Sequence, residues 1–455
     1  MARKAELEQP RKARFARRQQ PRQDDLTHGS DDGGWSERDP CHEVGHTSPY
    51  TWEIMKIKSI RAVNVDLPTA KTRADEADDS QSASWLKHGP VANPMTRYPR
   101  YAAYRPSWTP TWGNFGCVVE AEDGTQGFSL ANHGRPVAAV IDDYLGPRLE
   151  GESVMATEKV YDMAVRMCAP FGATGLASYA VSAIDLALWD LKGKLLGRPV
   201  YELIGGPARD ELWCYSTGGD TEWYMELGFE ATKLPCPFGP ADGLEGLQRN
   251  VDLVRRTREL VGNDVEIMLD CWMAFDVEYT VRLAEALRPY NLKWMEECLR
   301  SEDLDAHEEL RHRLPWQTLA TGEHWFTPTP FQYAASHHLV DIFQPDIHWV
   351  GGLTPMIKIC GIAEAAGITV IPHAGGLSPY GQHACFGLPA IPWTEYFVAT
   401  APGVRPPTGP WTFPGVPTPV DGRMVPSDAP GFGVDLDPAA MIPFDYTSPP
   451  PPPGY

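Results

Sequence analysis

The second half of the chain alternates between short apolar runs and longer amphipathic segments. Eight runs have the length and the β-branched or aromatic content of strands: Leu212–Thr217, Phe229–Leu234, Val265–Asp270, Leu292–Glu297, Thr318–Glu323, Asp341–Gln344, Thr369–His373 and Glu395–Val398. Helical periodicity fills most of the gaps between them: Leu247–Val261, Val277–Leu287, Asp303–Arg313, Pro328–Ser336 and Pro355–Ala366. This alternation predicts a (β/α)8 barrel of the TIM type.

The last connection of this barrel, residues 375–392, is rich in Gly and Pro. It has the weakest helical pattern, which predicts a lid or a loop. After Thr400 the chain is proline-rich and loses the barrel pattern. We expect this segment to return to the first domain.

The first part of the chain is rich in strands. An apolar hairpin is predicted at Gly116–Ala121 and Gln126–Leu130, joined by an Asp-Gly turn. Two helical periods follow, at Ala156–Met167 and Ser178–Leu196. Strands followed by helices predict an α+β module.

These patterns divide the chain into six segments. We expect a disordered leader at 1–54, an α+β domain at 55–180, a linking helix at 181–210, the barrel at 211–405, a returning segment at 406–440 and a proline-rich tail at 441–455.

The leader combines clustered Lys and Arg residues with a stretch rich in Asp, Gly and Ser. It has almost no aliphatic side chains, so it cannot bury a core and is predicted to be disordered. A basic tail could bind nucleic acid or act as a transit peptide. Glu6, Glu8 and Asp24 and the lack of an apolar core segment weaken the targeting interpretation. The favoured interpretation is an unstructured leader, with Met55 as the alternative start.

Composition narrows the classes of function. The chain has 455 residues, with 40 basic and 60 acidic side chains and a formal net charge of −20. Duplex nucleic acid is therefore not expected as a partner, because phosphate binding needs a basic surface. No apolar run has the roughly 18 residues of a membrane span. The nine cysteines show no CxxC pair, which is typical of reduced thiols in a cytoplasmic protein.

Five acidic or histidine residues stand at the ends of predicted strands, or just beyond them, with almost even spacing. They are Asp270, Glu296, Glu323, Asp346 and His373, separated by 26, 27, 23 and 27 residues. One strand plus one helix of a barrel takes roughly 30 residues. Equal spacing would bring these side chains to one mouth of the barrel, where barrel enzymes keep their chemistry.

The three carboxylates on consecutive strands predict a divalent cation site. Mg²⁺ takes about six oxygen ligands and usually keeps positions for water or substrate. Asp270, Glu296 and Glu323 would supply half of that shell. A single carboxylate at a strand end is more often a helix cap or a solvated edge, but three in register favour a metal site. The sequence does not decide whether Glu296 or Glu297 points inward, since side chains alternate along a strand.

His373 and Asp346 are predicted on adjacent strands, as a base and its orienting carboxylate. His324, directly after Glu323, is either a supporting residue or an acid near the leaving group. Lys233 ends the second strand, as a base on the opposite face or as an electrostatic helper. Two residues further on stands Pro235 rather than a second lysine. One base on one face predicts proton abstraction without racemisation.

At this point the sequence resembles the enolase superfamily, in its mandelate-racemase-like branch, over about residues 56–440. The resemblance rests on the linking helix with its Pro-Val-Tyr-Glu-Leu-Ile-Gly-Gly continuation, on the Asp, Glu, Glu ligands and on the Asp–His dyad. Within the branch the chain is similar to the L-rhamnonate dehydratases. The stretches that carry this are Leu269–Met273, Pro289–Trp294, Glu296–Cys298, Gly322–His324 and Gly351–Thr354.

The resemblance implies a capping α+β domain over the barrel and Mg²⁺ held by Asp270, Glu296 and Glu323, with Glu296 favoured over Glu297. It implies His373 as base and Asp346 as its partner. Other positions match sites near the substrate: His324, Glu395 and, in the capping loop, Arg105. Lys233 and Trp272 are also expected to contact the substrate. A homo-oligomer is also expected.

The chain departs from the family in one capping loop. Where the family has a histidine, this sequence reads Asp78–Ala83, and His88 is out of register. Such loops contact the distal hydroxyls, so another sugar acid is an open alternative to L-rhamnonate.

The resulting hypothesis is a Mg-dependent sugar-acid dehydratase. The base removes the C2 proton and the 3-hydroxyl leaves as water, with His373 or His324 as the acid. The product would be a 2-keto-3-deoxy sugar acid. A rival of another class is a non-catalytic barrel protein that binds nucleic acid through its basic leader.

Overall fold

The computed structural model describes residues 55–65, 83, 89–98, 101, 110, 112–406 and 416–447. The predicted leader, Arg105, His88 and the proline tail from residue 448 lie outside these residues.

An antiparallel sheet forms the first domain, with strand order β13-β1-β2-β3. Its strands are β1 Ile57–Val65, β2 Phe115–Ala121, β3 Gln126–Ala131 and β13 Met441–Pro443. The predicted Asp-Gly turn joins β2 to β3, and Gly124 takes the positive φ of 89° that this turn needs. Because β13 comes from the end of the chain, the C-terminal segment closes the sheet beside β1.

Helices cover this sheet and lead to the second domain. They are α1 Gly134–Ala139, α2 Gly146–Leu149, α3 Thr157–Cys168, α4 Leu176–Leu196 and α5 Val200–Leu203, with a π-helical turn at Val140–Leu145 between the first two. Sixteen of the 21 residues of α4 are buried. A helix that is apolar on most sides must be covered on most sides, and α4 packs on β2 and β3 and also contacts a helix of the barrel.

Eight parallel strands form the second sheet, in the order β11-β4-β5-β6-β7-β8-β9-β10. They are β4 Leu212–Thr217, β5 Ala231–Pro235, β6 Glu266–Asp270, β7 Trp294–Glu296, β8 Leu319–Thr321, β9 Ile342–Phe343, β10 Thr369–Val370 and β11 Thr394–Phe397. A short antiparallel strand, β12 Arg423–Met424, pairs with β4. The predicted barrel is confirmed, although most strands are shorter than their apolar runs.

Helices connect these strands on the outside of the curled sheet. They are α6 Thr221–Glu226, α7 Gly243–Val261, α8 Val277–Leu287, α9 Leu304–Arg313, α10 Pro328–His337, α11 Leu353–Ala366 and α12 Pro379–Gly387. No helix in the described part of the chain is long and apolar enough to cross a membrane.

The prediction of a lid or loop at 375–392 is wrong in its centre, where α12 forms. Pro379 occupies the first turn, and Ser378 caps the helix by accepting from the Gly381 backbone N–H. All nine residues of α12 are buried. A helix buried on all sides shows no amphipathic period, and this explains why the pattern did not reveal it.

Seven side chains fill the barrel interior below the mouth: Tyr215, Ala231, Met268, Trp294, Ala320, Ile342 and Ile371. The ring centroids of Tyr215 and Trp294 lie 5.5 Å apart in an edge-to-face arrangement. This closed layer is the floor on which the polar residues of the mouth stand.

Candidate active site

The strand ends bring several polar side chains together at one mouth. Asp270 pairs in register with Glu296 on β7 and with Pro235 on β5. Lys233 therefore lies one inward-facing position below Asp270 on the neighbouring strand. Its long side chain reaches up from the floor to the level of the carboxylates.

Lys233 is the central cation of the mouth, and its side chain is only 1% exposed. Its Nζ donates to Glu296 Oε1 in a very short contact, lies 2.9 Å from Glu395 Oε1 and lies 3.8 Å from Asp270 Oδ2. Burial alone would lower the pKa of the Lys233 ammonium, but Glu296 and Glu395 hold that pKa well above its usual value. The predicted electrostatic role fits this position between Glu296 and Glu395.

Glu296 is fully buried and is held by three donors. Besides Lys233, Trp294 Nε1 donates to its Oε2 at 3.0 Å and Gln344 Nε2 donates to the same oxygen at 2.6 Å. Each carboxylate oxygen can accept more than one hydrogen bond. The three donors therefore fix the Glu296 carboxylate without using all of its lone pairs.

Glu395, which the resemblance placed near the substrate, has both carboxylate oxygens bound to neighbouring groups of the protein. Its Oε1 accepts from Thr217 Oγ1 at 2.5 Å, and its Oε2 accepts from the Ala374 backbone N–H at 2.7 Å. Burial opposes ionisation, yet Lys233 lowers the pKa of Glu395 to about 2. Glu395 thereby ties β11 to the turn that follows His373.

Both glutamates of the Glu-Glu pair face the site, which strict alternation does not allow. Glu297 takes a positive φ of 43°, and this turns its side chain back towards the mouth. Both of its carboxylate oxygens contact His324 Nδ1, at 2.9 and 3.0 Å. The side chain of Glu297 is 1% exposed and that of His324 is 20% exposed.

Glu323 stands between two imidazoles. Its Oε1 lies 3.4 Å from His324 Nδ1, and its Oε2 lies 3.6 Å from His373 Nε2. Burial would raise the pKa of Glu323, but the two histidines lower it. The carboxylate is therefore held in its charged form at the centre of the mouth.

The predicted dyad is present in the structure. His373 Nδ1 lies 2.7 Å from Asp346 Oδ2, and the other oxygen of Asp346 accepts from the His348 backbone N–H at 2.7 Å. A carboxylate on Nδ1 fixes the tautomer and leaves Nε2 for chemistry. Burial would lower the pKa of His373, but Glu323 and the Asp346 hydrogen bond raise it to about 10.

Two tryptophans complete the wall. The indole of Trp349 lies 5.0 Å from the ring of His373 and 5.3 Å from that of His324. Trp272, in the turn after β6, lies 6.4 Å from His324, and its backbone N–H donates to Asp270 at 3.0 Å. Trp272 therefore lies beside the site.

Sequence reasoning missed two residues of this mouth, Gln344 and Trp349, and it did not foresee that both Glu296 and Glu297 face the site. Gln344 and Trp349 flank Asp346 within a few residues. Their nearness to the predicted dyad residue is the signal that could have indicated them.

The donor set at the mouth fits a hard divalent cation. Burial raises the pKa of Glu296, Lys233 opposes this, and the neighbouring carboxylates of Asp270 and Glu323 raise it further. Such mutual repulsion among buried carboxylates is what a bound cation would relieve. Among the described residues, ligand atoms of Glu297, Glu323 and His324 also lie within 4.8 Å of one another.

Known protein families match both domains of the chain. Residues 117–205 match the mandelate racemase / muconate lactonizing enzyme N-terminal domain, and residues 221–440 match the enolase C-terminal domain-like family.

Curated relatives match most of the length of the chain. An L-rhamnonate dehydratase of Saccharopolyspora erythraea is 42% identical over 398 residues, which is 86% of this chain and 100% of the relative. A putative L-rhamnonate dehydratase of Caldivirga maquilingensis is 40% identical, over 87% of this chain and 98% of the relative.

Solved structures agree with these relatives. The crystal structure of L-rhamnonate dehydratase from Gibberella zeae is 34% identical, with a TM-score of 0.78 over 87% of this chain and 99% of the other. A second structure of the Gibberella zeae enzyme, complexed with Mg, has a TM-score of 0.78 at 33% identity. The chain belongs to the mandelate racemase / muconate lactonizing enzyme family of the enolase superfamily.

Proposed function

We propose that this protein is a Mg-dependent sugar-acid dehydratase that acts on L-rhamnonate or a related monoacid sugar. The observation that carries the proposal is the pairing of a carboxylate-held imidazole, His373 with Asp346, with a group of buried carboxylates around Glu323. The L-rhamnonate dehydratase relatives support the same reaction. The substrate loses its C2 proton and its 3-hydroxyl and becomes a 2-keto-3-deoxy sugar acid.

Asp270, Glu296 and Glu323 are the proposed Mg²⁺ ligands. Asp270 and Glu296 share the ammonium of Lys233, and Glu323 adds to the negative charge felt by both. When bound, the ion supplies charge stabilisation at the substrate carboxylate. The relative solved in complex with Mg supports a magnesium site in this chain.

His373 is the proposed base. Its Nδ1 is held by Asp346, so Nε2 faces the mouth. Glu323 is the main cause of the raised pKa of His373, and a cation held by Glu323 would offset that charge. The neutral Nε2 then takes the C2 proton of the substrate. The imidazolium that results is stabilised by Asp346 on one side and by Glu323 on the other. Because one base acts on one face, the abstraction is stereospecific.

Lys233 and Trp349 prepare the site without taking part in proton transfer. The ammonium of Lys233 balances the charge of Glu296 and Glu395 below the reacting atoms. The indole of Trp349 packs against both His324 and His373 and excludes water from one side of them.

The test is an assay of the purified protein with Mg²⁺ against mono- and diacid sugars, with the 2-keto acid read by semicarbazide. We expect turnover of L-rhamnonate or one of its epimers. His373→Asn should lose at least about 100-fold in rate, the scale of a positioned general base, and should still bind Mg²⁺.

Two outcomes would contradict the proposal. Full activity of His373→Asn would show that His373 is not the base. If the protein binds Mg²⁺ but turns over no sugar acid, the proposed substrate class is wrong. The fold and the cation site would not be affected by that result.

A further inference from the structure

His348 connects three parts of the molecule beside the mouth. It stands two residues after Asp346, in the segment that follows β9, and it is partly buried. Its Nδ1 lies 3.3 Å from the backbone oxygen of Leu130 on β3, and its Nε2 lies 3.0 Å from Ser378 Oγ at the start of α12. The ring therefore contacts the first domain on one side and the segment that follows His373 on the other.

The partners of His348 define which ring nitrogen carries the proton. A backbone carbonyl can only accept, so Nδ1 carries the proton and donates to Leu130 O. Nε2 then accepts from the hydroxyl of Ser378, whose oxygen accepts in turn from the Gly381 N–H at 3.3 Å. Burial lowers the pKa of His348, although Asp346 opposes this. The neutral ring thus satisfies both of its hydrogen bonds.

The strand ladder ends before it reaches the dyad of Asp346 and His373. β9 and β10 pair over two residues each, and a last backbone hydrogen bond runs from the Ile371 N–H to Phe343 O at 2.8 Å. Among the described residues, two side-chain hydrogen bonds join the segments that follow these strands. One is the dyad itself, and the other is the bond between the side chains at the start of α12 and two residues after Asp346. The second bond thus helps to set the separation of the dyad partners.

The backbone of the segment after β9 is also held in place. The His348 N–H donates to Asp346 Oδ1 at 2.7 Å, which leaves Oδ2 for His373. From α4, Ser178 Oγ donates to the backbone oxygen of Trp349 at 2.5 Å. The segment that carries Asp346 is therefore fixed to the first domain, and the His348 ring links it to the segment that carries His373.

We propose that His348 is a positioning residue that sets the geometry of the Asp346–His373 dyad. This inference rests on the proposed dehydratase function. The bond to Leu130 fixes the ring against the first domain, and the bond from Ser378 holds the segment of His373 at the distance that the Asp346 carboxylate needs. The role is geometric, since His348 itself transfers no proton.

The variant His348→Asn separates the two hydrogen bonds of the ring. The amide nitrogen of Asn can take the place of Nδ1 and donate to Leu130 O, whereas the shorter side chain does not reach Ser378. The first readout is kcat and KM for dehydration of the sugar acid that the wild-type protein turns over. The second is Mg²⁺ binding by calorimetry, in which the affinity reports on the cation site and the stoichiometry reports the fraction of folded sites.

We expect kcat of His348→Asn to fall about 10–100-fold, because a displacement of about 1 Å in a reacting group costs up to about that much. KM, Mg²⁺ affinity and Mg²⁺ stoichiometry should stay within about threefold of the wild-type values. A purely structural role would instead lower the stoichiometry together with kcat. The matched control is His337→Asn, because Nδ1 of the exposed His337 on α10 also lies 2.9 Å from a backbone oxygen. This control should match the wild type in every readout.

Ser378→Ala removes the same hydrogen bond from its other side and should lower kcat by a similar factor. The double variant with His348→Asn should lose no more than about threefold beyond either single variant, because both changes remove one interaction. Ser378 also caps α12, and this comparison shows whether its effect on kcat passes through His348. If His348→Asn fails to fold, Ser378→Ala carries the same prediction for kcat, KM and Mg²⁺ binding.

Three results would overturn the proposal: an unchanged kcat, losses that multiply in the double variant, or a tenfold loss of Mg²⁺ affinity. A wild-type protein with no dehydration contradicts the proposed function instead. NMR of ¹⁵N-labelled histidines then still tests the inference. His348→Asn should change the Nδ1 signal of His373, and an unchanged signal shows that His348 does not position the dyad.

Discussion

At the scale of single residues, the site depends on side chains that hold other side chains. Gln344 and Asp346 belong to one short segment after β9. Gln344 donates to Glu296 at 2.6 Å, whereas Asp346 accepts from His373 at 2.7 Å. One segment thus orients both a proposed metal ligand and the proposed base.

Gln344→Met is expected to weaken Mg²⁺ binding by about 10–100-fold, because outer partners of a metal ligand fix its orientation. The substitution keeps the size of the side chain and removes the Nε2 donor to Glu296. Titration calorimetry measures the change. Gln317→Met is the matched control, since Gln317 is also buried but donates to the Thr318 carbonyl away from the mouth. Equal Mg²⁺ affinities in the two variants would show that Gln344 does not contribute to cation binding.

Residue types and spacing were enough to indicate where the carboxylates and the dyad would gather. They were not enough to orient Glu296 and Glu297, because the alternation rule holds only for extended backbone. The positive φ at Glu297 depends on contacts with Ala320 and Met273 from neighbouring strands. Those contacts are long-range, and a single sequence does not reveal them.

At the scale of elements, α4 joins the two domains through buried carboxylates. Asp185 accepts from the Thr354 backbone N–H at 3.0 Å and from Thr354 Oγ1 at 2.5 Å, at the start of α11. Asp190 accepts from the Phe128 and Phe432 N–H groups, both at 2.9 Å, and so links β3 and the C-terminal segment to α4. Removing either acceptor would leave buried donors without a partner.

Asp185 should make the stability of the protein depend on pH. Burial raises the pKa of Asp185 to about 7, although hydrogen bonds from Thr354 oppose this. In the unfolded chain an Asp titrates near 3.9. Between these values the native state binds more protons than the unfolded state, so this contribution is full at low pH and is lost as the pH rises to about 7.

Asp185→Asn stays neutral and is expected to remove this dependence. Between pH 5 and 8 the wild-type free energy of unfolding should fall by about 2–3 kcal/mol more than that of the variant. Urea unfolding at several pH values measures the difference. Parallel curves for the two proteins would show that Asp185 ionises as readily in the native state as in the unfolded chain.

The hydrophobic pattern located most barrel helices because each buries one face. It missed α12, which is buried all round, and α6, whose six residues are too few for a period to emerge. The strands from β7 to β11 end one to three residues before their apolar runs, because the barrel ladder stops where the polar mouth begins. Predictions of this kind are weakest where an element is short or fully enclosed.

At the scale of the whole molecule, negative charge collects at the barrel mouth of a chain with a net charge of −20. Asp270, Glu296, Glu323 and Glu395 lie close to one another, with the single ammonium of Lys233 among them in the described residues. Their mutual repulsion opposes folding, and it is present in the native state only.

Mg²⁺ should therefore stabilise the fold as well as support the reaction. A ligand that binds only the native state adds about 2.7 kcal/mol to the free energy of unfolding at 100 times its dissociation constant. Thermal unfolding at one scan rate, with excess Mg²⁺ and with EDTA, measures this gain as a higher midpoint. Glu323→Gln removes a proposed ligand, so its midpoint should respond little to Mg²⁺. A wild-type midpoint that is the same in both solutions would show that the native protein does not bind Mg²⁺. Lys233 would then be the cation that balances the carboxylates in the described residues.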